Sequence, residues 1–262
     1  MTETSLQALL AWKSVVVGAW LAGFILAERV FPAAPGLPGG PWSRPSLRRV
    51  ARNAALWLVN VALSPLVVAP LTALAASALP SWRPAWWSGW PGLAADLLLL
   101  DFLIYWWHRA NHEIGFLWRF HRVHHLDATL DATSALRFHF GEVLLSALAR
   151  AAAVVALAIP LMSVLAFEGL LLLATIFHHS NLRLPAGFEA ALARIVVTPS
   201  IHWVHHHKVR RDTDSNYSSV LSLWDRLFAT RSATRRRPDL PIGVEGEGER
   251  PLLALIARPF VP

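Results

Sequence analysis

Residues Asp101 to His125 read DFLIYWWHRANHEIGFLWRFHRVHH, and the last eighteen of them hold five of the chain's twelve histidines, at 108, 112, 121, 124 and 125. The other seven are His139, His178, His179, His202, His205, His206 and His207, so none lies before 108 or after 207. Imidazole confined to one window of about a hundred residues serves something local. His108 and His112 are spaced i, i+4, and His121, His124 and His125 are spaced i, i+3, i+4. On a helix each set projects from a single face. HWVHH at 202–206 repeats the second pattern. Three helical faces carrying eight imidazoles imply more than one metal ion, because a single ion rarely takes more than about six ligands.

The 262 residues include no cysteine, which excludes disulfides, thiolate ligands and a haem-thiolate centre. Hydrophobic residues make up 55% and charged ones only 16%, against roughly 25% charged in soluble domains. Thirteen tryptophans, bunched at Trp82, Trp86, Trp87 and Trp90 and at Trp106 and Trp107, suit the headgroup layer of a bilayer. The net charge of +7 sits beside apolar runs, so anionic lipid rather than nucleic acid is the matching partner. The chain reads as an integral membrane protein.

Residues 6–31 form a first apolar stretch that carries Lys13. The leading MTETS has no basic residue and no clear small-residue cleavage site follows, which reads as an uncleaved anchor rather than a signal peptide. A proline-rich loop then ends in Arg44, Arg48, Arg49 and Arg52, and residues 54–79 run uncharged for 26 positions, with Pro65 and Pro70 expected to kink them. A third span starts near Leu93 and runs into HRANH, carrying Asp96 and Asp101. Asp101 is open to two readings: a helix-packing hydrogen bond, or an acceptor for the second N–H of a ligand imidazole. Residues 141–177 are almost wholly apolar and suit a helical hairpin folded at Pro160, which brings Arg150 and Glu168 to one depth where they can pair.

The basic segment at 44–52 is expected on the cytoplasmic side and the 80–92 loop opposite, which puts every histidine on the cytoplasmic face. The expected fold is all-α: an integral membrane helical bundle under a cytoplasmic histidine-rich metal-binding cap. Residues 1–92 form the anchor region and 93–230 the part that carries the boxes. Residues 231–262 read as a basic, proline-rich, poorly ordered tail, in which LLALIA at 252–257 could dock back.

Neutral imidazole suits iron, zinc, copper and nickel. A nearly all-histidine site with positions left for oxygen points to a pair of non-haem irons, with paired zinc the main competitor. His139, standing alone, reads by default as a satisfied polar residue. A zinc hydrolase would want a carboxylate base; Glu113 and Glu142 are available, but neither makes an HExxH pattern. A metal transporter would spread ionisable ligands along several spans, whereas these follow the spans.

The boxes HRANH, HRVHH and HWVHH, with LWRFHRVHH, RFHFGE, FHHSNLRLP, TDSNY and LWDRLFAT in that order, resemble the fatty acid hydroxylase and sterol desaturase superfamily of membrane di-iron enzymes, over about Asp96 to Thr230. Phe140 replaces a proline common in that family after R-x-H, and Ser218 and Ala229 replace glycines. The resemblance implies a two-iron centre of about ten histidines. His108, His112, His121, His124, His125, His202, His205 and His206 match box positions. His179, with His178 as its alternative, and His139 complete the set, and His207 stays outside it. Asn181, Asn216 and Asp225, with Asp101, are expected around the ligands, and Trp224 as packing.

The implied activity is O₂-dependent hydroxylation or desaturation of a C–H bond in a lipid, whether fatty acyl, sterol or other isoprenoid, or a related chain. Zinc could substitute for iron in purified protein. Two electrons would come from a separate ferredoxin, cytochrome or flavin reductase, for which Lys208, Arg210, Arg211 and Arg235 to Arg237 offer either a docking face or headgroup contacts. Trp106, Trp107, Phe116 and Trp118 are expected either to line a lipid tunnel or to anchor the interface. The implied setting is a multi-pass protein of a bacterial inner membrane.

Overall fold

The computed structural model describes residues 3–37, 39–78 and 82–261, with side chains from residue 12 onward. The leading MTETS and residues 80–81 of the expected outer loop fall partly or wholly outside that range. Every named element among the described residues is helical, and three isolated bridges are their only β pairing.

Among the described residues, three stretches are long and apolar enough to cross a membrane: Arg44–Ser77, Phe140–Leu157 and Leu161–His179. The first helix, α1 (Glu3–Val30), runs along the last of these. Trp20 donates to the Leu173 carbonyl at 3.0 Å, and Phe24 meets Phe177 edge-on. Helix α2 (Arg44–Ser77) starts at Ser43, whose hydroxyl accepts the Ser46 N–H, with a proline in its first turn. At Ser64–Val68 it widens into a π-turn. Pro65 has no N–H to give the regular ladder, so the expected kink is taken up as a wider turn.

Helix α3 (Gly89–Glu113) runs without a break from the tryptophan-rich segment into the first histidine box. Two of its three carboxylates, Asp96 and Asp101, are buried staples. Asp96 accepts from both terminal nitrogens of Arg83, from Trp87 Nε1 at 3.0 Å and from the Ser163 hydroxyl at 2.6 Å, tying the far loop to the Leu161–His179 helix. Ile114, in extended conformation, turns the chain into α4 (Gly115–His125), which carries the second box. Helices α5 (Phe140–Leu157) and α6 (Leu161–His179) form the expected hairpin. Their turn uses Ala158 in the left-handed region (φ 51°), and Pro160 opens α6. Arg150 pairs with Glu168 at 3.2 Å, and Lys13 of α1 joins the same carboxylate at 3.3 Å. Val154, Ile159, Val164 and Leu100 form the core between these helices.

The short helices α7 (Ala186–Leu192), α8 (Pro199–His205), α9 (Arg210–Thr213) and α10 (Leu223–Leu227) follow at the histidine end. The basic 44–52 segment is helical, not a loop, and Arg49 is only 3% exposed. Its Nε donates to Asp127 at 2.5 Å and its Nη1 to Asp131 at 2.6 Å. Burial pushes the Asp127 carboxyl up, but Arg49 and Arg137 outweigh it and hold that carboxyl at about 2. Because Asp127 follows His125 by two residues, this pair fixes the basic end of α2 on the histidine side of the bundle.

The tail is ordered, contrary to expectation. Helix α11 (Leu252–Ala257) buries Leu255 against Leu56, Val123 and Leu126. Glu247 gathers Arg122 and Arg258, and Glu249 receives Arg137 and Arg52. The apolar contact and these ion pairs give proline-rich chain the enthalpy it needs to stay folded.

Candidate metal centre

Four helix ends converge: the end of α3, the whole of α4, the end of α6 and α8. Box spacing puts the imidazoles of each on one face, and the bundle turns those faces together. His108, His112, His121, His125 and His205 form one group, and His124, His179, His202 and His206 form a second. All nine belong to the expected ten, and within each group the potential ligand atoms lie within 4.8 Å of one another. His125 and His206 stack with centroids 4.2 Å apart, which joins the groups.

The hydrogen bonds decide which nitrogen is free. His108 Nδ1 faces the Tyr217 carbonyl at 2.7 Å, His124 the Arg137 carbonyl at 3.1 Å, His179 the Thr175 carbonyl at 2.8 Å and His205 the Ser215 carbonyl at 2.6 Å. Two carboxylates do the same: Glu142 for His121 at 2.7 Å, and Asp214 for His112 at 3.3 Å. A carbonyl only accepts, so these Nδ1 atoms carry the proton and the Nε2 atoms are bare.

These Nε2 atoms then face other ring nitrogens within each group. His124 Nε2 lies 3.0 Å from His179 Nε2, which is 3.0 Å from His202 Nε2, itself 3.1 Å from His206 Nε2. In the other group His121 and His125 approach at 3.3 Å, and the Nε2 atoms of His112 and His205 are buried without a partner. His124 and His179 both have Nδ1 on a carbonyl, so two lone pairs meet at 3.0 Å and repel unless a cation lies between them. Metal–nitrogen bonds of about 2.0–2.1 Å put neighbouring ligand nitrogens roughly 3.0–3.4 Å apart, so the donor set fits metal ions. Burial, reinforced by neighbouring imidazoles, holds His124, His125, His202, His205 and His206 well below the ordinary histidine value. They are neutral, as ligands must be.

His139 does not join either group. Its Nδ1 accepts the Gly141 N–H at 2.9 Å as the cap of α5, and its Nε2 donates to the Ile256 carbonyl at 2.9 Å. Both nitrogens are spent on holding the tail and the helix start, so the default reading of a lone histidine is the one realised. A side chain on Gly141 would meet the Phe120 ring at 2.5 Å, so the turn after His139 packs closely on that ring. His178 borders the second group, its ring 4.0 Å from that of His202, with Nδ1 buried and unpartnered. His207 turns away to Asp212.

None of the four residues expected around the ligands hydrogen-bonds to an imidazole in the structure. Asp101 accepts from the Val220 and Leu221 N–H groups and from Trp224 Nε1. Asp225 accepts from the Tyr217 and Ser218 N–H groups. Together they hold the 217–224 loop, and with it the Tyr217 carbonyl that orients His108. Asn216 (φ 53°) donates to the Ile201 carbonyl in α8. Asn181 binds the main chain of Ala33 and Ala34. These side chains lock loops rather than rings. Sequence reasoning assigned no such part to Glu142, although it lies inside the RFHFGE stretch.

A cavity of about 380 Å³ opens on both groups. His108, His121, His124, His179 and His202 border one end, and Trp107, Val143, Leu171 and Leu172 line its walls. Trp106 and Trp107 line an adjoining cavity of about 300 Å³. Phe116 is exposed, while Trp118 packs on His112 and His125 under the Arg210 guanidinium.

Apolar helices of membrane length and two buried all-histidine groups at one end of the bundle define a membrane protein with histidine clusters able to bind metal. The fatty acid hydroxylase profile matches residues 93–230, and the chain belongs to that family. It is 33% identical to ornithine lipid hydroxylase OlsE of Rhizobium tropici over 184 residues, covering 67% of this chain and 53% of that protein. It is 32% identical to alkylglycerol monooxygenase of Homo sapiens over 152 residues (58% of this chain, 33% of that protein). To a cholesterol 25-hydroxylase-like protein of Danio rerio it is 30% identical over 140 residues (53% and 54%). The chain thus spans about half, or less, of the length of these relatives. No solved structure matches.

Proposed function

We propose that the nine grouped histidines hold two metal ions, iron in the working enzyme, and that the protein oxidises a C–H bond of a lipid chain lying in the 380 Å³ cavity. The observation that carries this is a cavity with largely apolar walls that opens on imidazoles of both histidine groups. When bound, the iron pair would supply O₂ reduction, with two electrons from a separate ferredoxin, cytochrome or flavin reductase. The protein's part is positional. The carbonyls of Tyr217, Arg137, Thr175 and Ser215 keep the imidazoles in the tautomer that presents Nε2. The apolar walls exclude water from the reacting carbon. The relatives named above are hydroxylases and a monooxygenase, which favours oxygen insertion over desaturation.

The same reading makes the protein multi-pass in a bacterial inner membrane, with the histidine end cytoplasmic, since Arg44, Arg48 and Arg52 lie at that end of α2. Exposed Lys208, Arg211 and Arg235 then give an acidic electron donor a face to meet. The test is metal analysis of protein purified without added metal, O₂ uptake with reductant, and mass analysis of lipids from cells with and without the protein. We expect iron, O₂ consumption and a lipid heavier by one oxygen. A zinc-only protein whose activity survives strict anaerobiosis overturns the proposal.

A further inference from the structure

The cavity has a second polar end that the histidines do not account for. Arg150 and Glu168 both line it, and Lys13 reaches Glu168 from α1, its stem passing over Gly169. Two cations share one carboxylate, so the cluster carries a net positive charge among apolar helices, where a lone charge is costly. Arg150 is not saturated. Its Nη2 pairs with Glu168, but its Nε is buried with no acceptor. Arg150 also lines the adjoining cavity between α3 and α5, so it belongs to the wall the two cavities share.

We propose that Arg150 and Lys13, with Glu168 between them, form a subsite for the anionic end of a single-chain amphiphile whose alkyl part runs toward the histidines. An anion there would cancel the surplus charge and give the Arg150 Nε its acceptor. The subsite also sets a distance. Glu168 is eleven residues before His179 on α6, and Arg150 eight residues after Glu142 on α5. At about 1.5 Å per residue these separations are roughly 12–16 Å, the extended length of about ten to thirteen methylenes. The cluster thereby selects which carbon meets the metal end. This rests on the proposed function only for the identity of that end as the reacting one.

The test is competition in nanodiscs, read by native mass spectrometry, between tetradecanoate or tetradecyl phosphate and the neutral tetradecanol. The wild-type protein should prefer both anions over the alcohol by on the order of tenfold or more, the worth of a charge-assisted hydrogen bond. Arg150→Met should abolish that preference. Glu168→Gln, which leaves both cations in place, should strengthen it, and this variant keeps the test decisive if Arg150→Met does not fold. No preference in the wild type, or a preference that either substitution leaves unchanged, overturns the subsite. Binding needs no turnover, so the two proposals fail separately: a protein with the preference that oxidises no lipid loses the proposed function and keeps the subsite. In the active enzyme, the new oxygen should sit about ten to thirteen carbons from the anionic end.

Discussion

Replacing Glu142 should loosen one metal ion and spare the other. Glu142 stands in the first turn of α5 and is 6% exposed, and its Oε1 accepts the His121 Nδ1 proton at 2.7 Å. A carboxylate there fixes the ring, keeps the proton off Nε2 and makes that nitrogen a stronger donor. His121 belongs to the five-histidine group alone. Losing such an outer partner typically costs 10–100-fold in metal affinity, or about 1.4–2.7 kcal/mol. Glu142→Ala should show the whole loss. Glu142→Gln should show part of it, because an amide oxygen still accepts but without the charge. Elemental analysis of bound metal across a chelator series would give two release steps in the variants, one shifted and one at the wild-type position. Release of both ions at the wild-type chelator concentration would refute the reasoning, and so would an equal shift of both steps.

Three further outcomes are expected. His139→Ala should keep both ions yet lower thermal stability by about 1–2 kcal/mol, the worth of a helix cap plus its bond to the tail. His179→Ala should lower bound metal; elemental analysis of the pair separates the two roles. Asp127→Asn should be among the most damaging changes away from the metal, costing about 3–5 kcal/mol, since it leaves Arg49 buried with its main partner neutralised; a denaturation series reads it directly. Hydrogen bonding from Arg258, with the charge of Arg122, holds Glu247 below the usual carboxylate range. Its contribution to tail docking should therefore be whole above about pH 4.5 and drain away as pH falls below that. Hydrogen exchange in residues 245–261 at falling pH should show the tail loosening, and in Glu247→Gln it should be loose throughout.

The span pattern and the boxes were legible because both are helical periodicities. A run of apolar residues of sufficient length, or histidines at i, i+3, i+4, means the same thing wherever the helix goes. The Arg150–Glu168 pair was legible for a related reason, since a hairpin folded at Pro160 leaves two lone charges little choice of partner. What failed was the identity of the groups behind the ligands. Four of the six acceptors are main-chain carbonyls, of Tyr217, Arg137, Thr175 and Ser215. A carbonyl is present at every position, so no residue type marks it. Polar side chains that looked suited to the task, Asp101 and Asp225, instead hold the loop that presents one of those carbonyls. His139 misled in the opposite direction: its RFHFGE context marks a real structural element, but the residue in that stretch that reaches a ligand is Glu142.

The unequal division of the histidines bears on where a substrate would be met. Of the five-histidine group, His108 and His121 border the cavity; of the four-histidine group, His124, His179 and His202 do. The group with fewer protein donors would leave more of a bound ion's coordination to other molecules, and more of its histidines border the apolar space. The larger group lies toward Trp118 and Arg210, on the polar side of the cap. The two groups therefore face different surroundings although one pair of stacked rings, His125 and His206, joins them. A lipid chain extending from the Arg150 cluster would approach both groups, along α6 toward His179 of the smaller one and along α5 toward Glu142, which holds His121 of the larger.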